Sequence, residues 1–401
     1  MEGTSIRQKL GAILEALYYP IMALLASFLI GSVIILLTSS TSPLEAYGYM
    51  FKGAFGSTAA WQDTIIKAIP FVFTALSFSV ARRCGIINLG AEGQFIMGAL
   101  FSTIVAVQLP LIADIPRFVH LPLTLIAGFL GGALYGLLVA VLKVQFGASE
   151  LITTIMLNYI ARYIISYAVN GPLMEPGQSS YPQSAPIPES AVLNPIVNGT
   201  RLHWGLIILV VCIIFYYFYQ WKTTKGFEAR IVGFNPSAGE YAGINIKAAT
   251  LRSLFIAGGL AGLGGCVEML AVQKRLMMTS FSVSYGFTGI AVALLGSLNP
   301  VGVLVAGILF GGLSAGSLSM EVVTDVRSSV ALIIQAFVIL FIAGRRMFTI
   351  KRKRHFRFHP VAQDEMGMPL PAPKKEDATA REEMPILESD LKDEDKTKGA
   401  K

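Results

Sequence analysis

ARRCGIINLGAEGQFIMGAL, residues Ala81–Leu100, lies between two apolar runs that are each long enough to enter a bilayer. It carries Arg82, Arg83, Asn88, Glu92 and Gln94, with glycines at 85, 90, 93 and 98. A carboxylate beside a transmembrane run is costly to desolvate unless it faces a cavity or a partner. Glycine allows tight turns and close backbone approach, at a cost in helix stability. Broken, polar backbone near membrane depth is tolerated only where protein buries it or water fills a cavity. Two readings stand. One is a short interfacial loop capped by polar residues, as is common between membrane helices. The other is a broken hairpin lining a solute path.

The rest of the chain sets that stretch in a membrane. Of 401 residues, 54% are hydrophobic and only 14% charged, against about 25% charged in soluble domains. The mean hydropathy is +0.61. An all-α, polytopic membrane protein follows, with about ten transmembrane segments, some broken or re-entrant. Cys84, Cys212 and Cys266 are scattered in or near apolar runs, and the four histidines form no paired-ligand pattern. No metal site, cofactor or catalytic residue is expected. There is no GxxxxGK[ST] string, so no phosphate-cradling loop is expected either. The first apolar run is too long for the core of a cleavable signal peptide.

In chain order, the first span is expected at Leu17–Leu37, and residues 38–63 read as an external amphipathic stretch. The second span, about Thr64–Val80, is bent by Pro70, and the third is about Gln94–Gln108. The fourth, Leu121–Leu142, carries Gly128-x-x-x-Gly132, read as close helix packing. The fifth, Glu150–Val169, places Thr154, Asn158 and Arg162 on one face. That stripe either packs against polar groups on neighbouring helices or lines a path. Proline-rich residues 170–203 read as an irregular extracytoplasmic loop. The sixth span, Trp204–Trp221, is aromatic at both ends. The polar segment 222–251, with Lys222, Lys225, Arg230 and Lys247, is placed in the cytoplasm by the positive-inside rule.

The seventh span, Ser253–Val272, holds one acid, Glu268. Lys274 and Arg275, just beyond it, fit poorly on an outer face. Phe287–Gly296 is too short to span alone, and Asn299-Pro300 separates it from Val301–Leu318, so a half-helix, a turn and a longer helix are expected. The last span, Ser328–Ala343, is followed by the densest basic run in the chain, which puts the C-terminus in the cytoplasm with the N-terminus. Residues 360–401 carry eleven acids and seven bases with few aromatics, and read as disordered. The remaining positive excess is a topology signal for anionic lipid, not for nucleic acid.

Three strings resemble one family: GIINLGAEGQFIMG (Gly85–Gly98), SELITTIMLNYIA (Ser149–Ala161) and GFEARIVGFNPSAGEYAGI (Gly226–Ile244). They are similar to the permease subunits of bacterial ABC importers, in the simple-sugar and nucleoside branch, nearest to nucleoside uptake permeases. The sugar branch has a different, Asp-containing string where this chain has NLGAEGQ. The resemblance runs from about residue 20 to 345 and implies a non-enzymatic, multi-pass permease in the plasma (inner) membrane. It also implies a separate ATP-binding subunit, a second homologous permease subunit and an extracytoplasmic substrate-binding lipoprotein. The implied organisation is a cytoplasmic N-terminus (1–16), a permease domain (17–345) and a cytoplasmic tail (346–401). The permease domain includes the 170–203 loop and a coupling loop at 222–251.

Within that frame, Gly226, Arg230, Gly233, Asn235, Ala238, Tyr241 and Gly243 are expected to couple to the ATPase, with Asn235-Pro236-Ser237 starting a short helix. A nucleoside path needs hydrogen-bonding groups and aromatic faces. Candidates are Asn88, Glu92, Gln94, Asn158, Tyr159, Phe281, Tyr285 and Phe287. The alternatives are a ribose- or galactose-type importer permease and an ion-coupled secondary transporter. Glu92 and Glu268 would be the ion sites of the latter.

Overall fold

The computed structural model describes residues 6–112, 115–177, 181–197, 199–277 and 284–344. The expected tail and Phe281 lie outside the described residues. Thirteen α-helices occur among those described. They are α1 (Ile6–Thr38), α2 (Pro43–Phe55), α3 (Thr58–Arg83), α4 (Ala91–Ile112), α5 (Arg117–Phe146), α6 (Glu150–Asn170), α7 (Gly205–Lys222), α8 (Thr224–Phe234), α9 (Pro236–Tyr241), α10 (Ile246–Glu268), α11 (Tyr285–Leu295), α12 (Pro300–Val323) and α13 (Ser329–Ala343). Eight of them, α1, α3 to α7, α10 and α12, are long and apolar enough to cross a membrane. α11 and α13 are apolar but shorter. The chain is the all-α polytopic protein that its composition implies.

Helix starts follow local chemistry. Ser42, Asn235 and Asn299 each accept a backbone N–H with their side chain and are followed by proline at the first helical position. Ser57, Thr223 and Asn245 cap α3, α8 and α10 in the same way. These caps shift several expected boundaries. α3 begins at Thr58, not near 64, and runs through Pro70 without a break. Residues 38–63, expected as an external amphipathic stretch, form α2 and the start of α3, and α2 packs one face on the bundle. α2 buries Ala46, Met50 and Ala54, and the α2 carbonyl of Ala54 accepts the Thr64 hydroxyl at 2.7 Å. α10 begins at Ile246, seven residues before the expected Ser253.

The stretch Ala81–Leu100 is not a broken hairpin. α3 and α4 are intact, Gly93 and Gly98 lie inside α4, and the irregular piece is the turn Cys84–Gly90, with Gly85 at φ +82°. The true interruption comes later. α10 ends in a π-helical turn, Met269–Gln273, Lys274 adopts φ +57°, and α11 is only 11 residues long. That is about 16 Å, roughly half the thickness of a bilayer core.

The contacts define two ends of the bundle. At one, Gly85 lies against Gly233, and the Leu298 carbonyl accepts both Arg83 (3.2 Å) and the Tyr216 hydroxyl (2.8 Å). At the other, Arg117 reaches the Val192 carbonyl, Leu193 bonds to Leu270, and Arg275 pairs with Glu175. Lys274 and Arg275 therefore sit with the 171–203 loop, where Glu175 supplies Arg275 with a counter-charge that the sequence alone does not show. Also at this end, Asp325 accepts from the hydroxyls of Ser39, Ser40 and Thr41 and from the Ser40 N–H, tying the α1–α2 loop to the α12–α13 loop.

Between the ends runs a seam of glycines. Gly98 of α4, Gly128 and Gly132 of α5, and Gly258 and Gly262 of α10 meet backbone to backbone, and a Cβ at Gly98 would overlap the Gly262 main chain. The Gly128/Gly132 pair thus serves close helix packing.

Candidate functional site

The turn Cys84–Gly90 and the first turn of α4 are held in a buried polar junction. Asn88 and Gln94 form a reciprocal amide pair: Asn88 Nδ2 donates to Gln94 Oε1 (2.9 Å) and Gln94 Nε2 to Asn88 Oδ1 (3.2 Å). Asn88 Oδ1 also accepts the Gly90 N–H, closing an Asx turn. Asn158 of α6 clasps the same turn. Its Nδ2 donates to the Leu89 carbonyl (2.9 Å) and its Oδ1 accepts the Gly93 N–H (2.8 Å), a donor with no partner inside its own helix.

Glu92 extends the junction to α11. Its carboxylate is 1% exposed, accepts the Gly286 N–H at 2.7 Å and faces Arg162 at 3.4 Å. A buried carboxylate needs such partners to offset desolvation. Gly286 has no room for a side chain, because a Cβ would press on the Glu92 backbone. Next to it, Tyr285 packs between Phe71 and Phe95, with ring centroids 5.5 and 5.2 Å away. The Thr74 hydroxyl lies 3.0 Å from the Tyr285 carbonyl. The Tyr285 hydroxyl donates to Glu268 (3.4 Å), which also accepts from Gln273 (3.2 Å). Two buried acids, Glu92 and Glu268, therefore bracket the start of the half-helix α11.

Of the path candidates, Asn88, Glu92, Gln94, Asn158 and Tyr285 come together here. Tyr159 (57% exposed) and Phe287 (40%) stand on outward faces instead. Thr74, Gly286, Arg162 and Glu268 complete the junction without having been chosen as path residues. Arg162 and Glu268 stood out in the sequence as charges within spans, whereas nothing local marks Gly286.

The α6 face around Arg162 is unusual for a lipid surface. Arg162 has a side chain 47% exposed in the body of a spanning helix. Tyr159, Tyr163 (75% exposed) and Tyr167 (74%) surround it on the same helix.

At the end holding Gly85, α8 and α9 form a protruding hook. Gly226 lies under the Tyr219 carbonyl and Gly233 under that of Arg83, so both must be glycine for the hook to seat. Asn235 caps α9, and Gly243 (φ +75°) turns the chain toward α10. Glu228 is clamped by Lys225 (2.9 Å) and Arg252 (2.5 Å), which hold its carboxyl below the usual range. Arg230 lies over the Phe227 ring at 5.9 Å. Phe234 and Tyr241 are 90% and 95% exposed, and Ala238 is exposed beside them. Phe234 and Tyr241 are the two most exposed large apolar side chains among the described residues.

A helical membrane bundle with a half-helix, a charged junction within its spans and a hook at one end agrees with the transport permeases it is similar to. The chain belongs to the family described as the branched-chain amino acid transport system / permease component, which matches residues 61–346. It is 36% identical over 333 residues to the guanosine ABC transporter permease protein NupP of Bacillus subtilis, covering 82% of this chain and 94% of that one. It is 35% identical over 331 residues to the nucleoside ABC transporter permease protein NupB of Lactococcus lactis, covering 81% and 90%. A glucose ABC transporter permease protein of Haloferax volcanii is 34% identical over 363 residues, covering 88% and 92%. No solved structure matches the chain. The protein is a multi-pass plasma-membrane permease.

Proposed function

We propose that this chain is the membrane-spanning subunit of an ATP-driven importer for nucleosides. The observation that carries the reading is the α8–α9 hook, with Phe234 and Tyr241 exposed and its back pressed onto the α3–α4 turn through Gly85 and Gly233. A surface of this kind passes force into the bundle without binding ATP. Gly226, Arg230, Gly233, Asn235, Ala238, Tyr241 and Gly243 build it, and a separate ATP-binding subunit is its partner.

The nucleoside assignment rests on the relatives named for guanosine and nucleosides. The α6 face fits the wall of the solute path, shared with a second permease subunit, because an exposed arginine within a span is costly against lipid. The junction of Asn88, Glu92, Gln94, Asn158 and Tyr285 sets that wall against α11. A binding lipoprotein delivers solute at the opposite end. The relative named for glucose supports a sugar importer as the second reading. Uptake of labelled guanosine and glucose by cells carrying the chain with its co-purifying subunits separates the two. ATP-dependent guanosine uptake is expected; uptake driven by an ion gradient in the isolated chain would overturn the ATP-driven reading.

A further inference from the structure

At the end opposite the hook lies a cavity of about 610 Å³, within the range of roughly 300–1,000 Å³ typical of small-molecule sites. It sits between α3, α12, the 192–203 loop and the π-helical turn, and Asp63, Lys67, Arg201, Lys274 and Ser319 line it. Its polar groups are unevenly engaged. Asp63 is neutralised by Arg201 at 3.2 Å. Among the described residues, neither Lys67 nor Lys274 has a carboxylate oxygen within 4.0 Å. The backbone of Lys274 is pinned on both sides, its N–H on the Met269 carbonyl and its carbonyl on the Ile187 N–H. The cavity is thus rich in donors.

Ammonium groups only donate hydrogen bonds. Among nucleobases, guanine places two acceptors, O6 and N7, side by side on one edge, and lysine is a common reader of that edge. Cytosine puts a donor on its corresponding edge. We propose that this cavity is the receiving site for 6-oxopurine nucleosides, with Lys67 and Lys274 donating to O6 and N7 and the Ser319 hydroxyl free for the ribose. This inference rests on the nucleoside reading and specifies its base.

The three native cysteines are buried, so an engineered one can report. The full chain, with its co-purifying subunits in nanodiscs, carries Ser319→Cys, or Thr200→Cys should the first be poorly made. Thiol labelling is timed with guanosine, cytidine, ribose and ribose 5-phosphate. Guanosine at roughly nine times its Kd is expected to slow labelling about tenfold, with cytidine and ribose far weaker. Lys67→Met and Lys274→Met are each expected to remove most of that protection. The site is rejected by labelling indifferent to guanosine, by equal protection from ribose or ribose 5-phosphate, or by protection that survives both substitutions. Guanosine uptake measured in parallel separates the outcomes. Protection without uptake rejects transport alone, and uptake without protection rejects this site alone.

Discussion

The Glu92 carboxylate, on the first turn of α4, accepts the Gly286 N–H at the first turn of α11 at 2.7 Å. A helix N-terminus carries partial positive charge and unpaired N–H groups, so an anion there is favourable. Here the anion comes from another helix, nearly two hundred residues away in sequence. The head of the half-helix is thereby fixed to the α3–α4 turn, which rests on the hook through Gly85 and Gly233.

Replacing Glu92 tests that linkage. Glu92→Gln keeps an acceptor for Gly286 but removes the charge facing Arg162, and uptake is expected to fall about tenfold, equivalent to ~1.4 kcal/mol, with normal membrane levels. Glu92→Ala also strands the Gly286 N–H, at about 1–3 kcal/mol, and is expected to lower the yield as well. Normal uptake by the glutamine variant would reduce the junction to a structural one.

The α6 face is expected to meet a second permease subunit. A cysteine at Tyr163, 75% exposed, should form an intermolecular cross-link under oxidising conditions with cysteines scanned along that partner. A cysteine at Leu29, 69% exposed on α1, is the lipid-facing comparison and should remain unlinked.

For the hook, Arg230→Glu is expected to abolish uptake while the protein still reaches the membrane. The substitution removes the cation over Phe227 and reverses the charge of the surface. Tyr241→Ala removes a 95% exposed ring and is expected to weaken retention of the ATP-binding subunit by at least about tenfold, read by co-purification. Unchanged retention in both variants would place the ATPase contact elsewhere.

The glycine seam predicts steep packing costs. A Cβ at Gly262 would lie 2.8 Å from the Gly132 Cα and 2.9 Å from its nitrogen. Gly262→Val is expected to destabilise by about 1–3 kcal/mol or more, seen as lost yield and a lower Tm in detergent. Gly48→Ala is the control. It lies within α2 with nothing within 4 Å of the new methyl, and it should be neutral or slightly stabilising.

His203 gives a pH dependence at the outer cavity. Its Nδ1 accepts the Gly205 N–H, and burial pushes its pKa from 6.5 down to about 4. The unfolded chain therefore binds a proton before the folded one does. This contribution to stability is fully present above pH 6.5, falls as pH drops from 6.5 toward 4, and levels off below that. Thermal unfolding across that window should show the decline, and His203→Gln should flatten it. An equally steep decline in the variant would assign it to other groups.

Much of the fold was legible because hydropathy and caps act locally. Glu150 and the Asn299-Pro300 pair marked true helix starts, and the Asn235-Pro236 cap of the hook was read directly. Gly128-x-x-x-Gly132 announced close packing because small residues at that spacing have one physical use. What was not legible depends on distant partners. Ala81–Leu100 looked broken because its glycines and polar groups are read one at a time. Asn158 and the Asn88–Gln94 pair satisfy them, Gly93 makes room for Asn158, and Gly98 for the Gly262 backbone. Arg275 looked misplaced because its partner, Glu175, lies 100 residues away in the chain. Nothing local to Gly286 shows that a carboxylate from α4 fills the space where its side chain would go.

The bare-backbone contact of α4, α5 and α10 leaves no compressible layer between those helices. Side chains can swing to absorb sliding, but carbonyls touching α-carbons cannot. During a transport cycle α4, α5 and α10 are therefore expected to move as one block, carrying the head of α11 that Glu92 ties to α4.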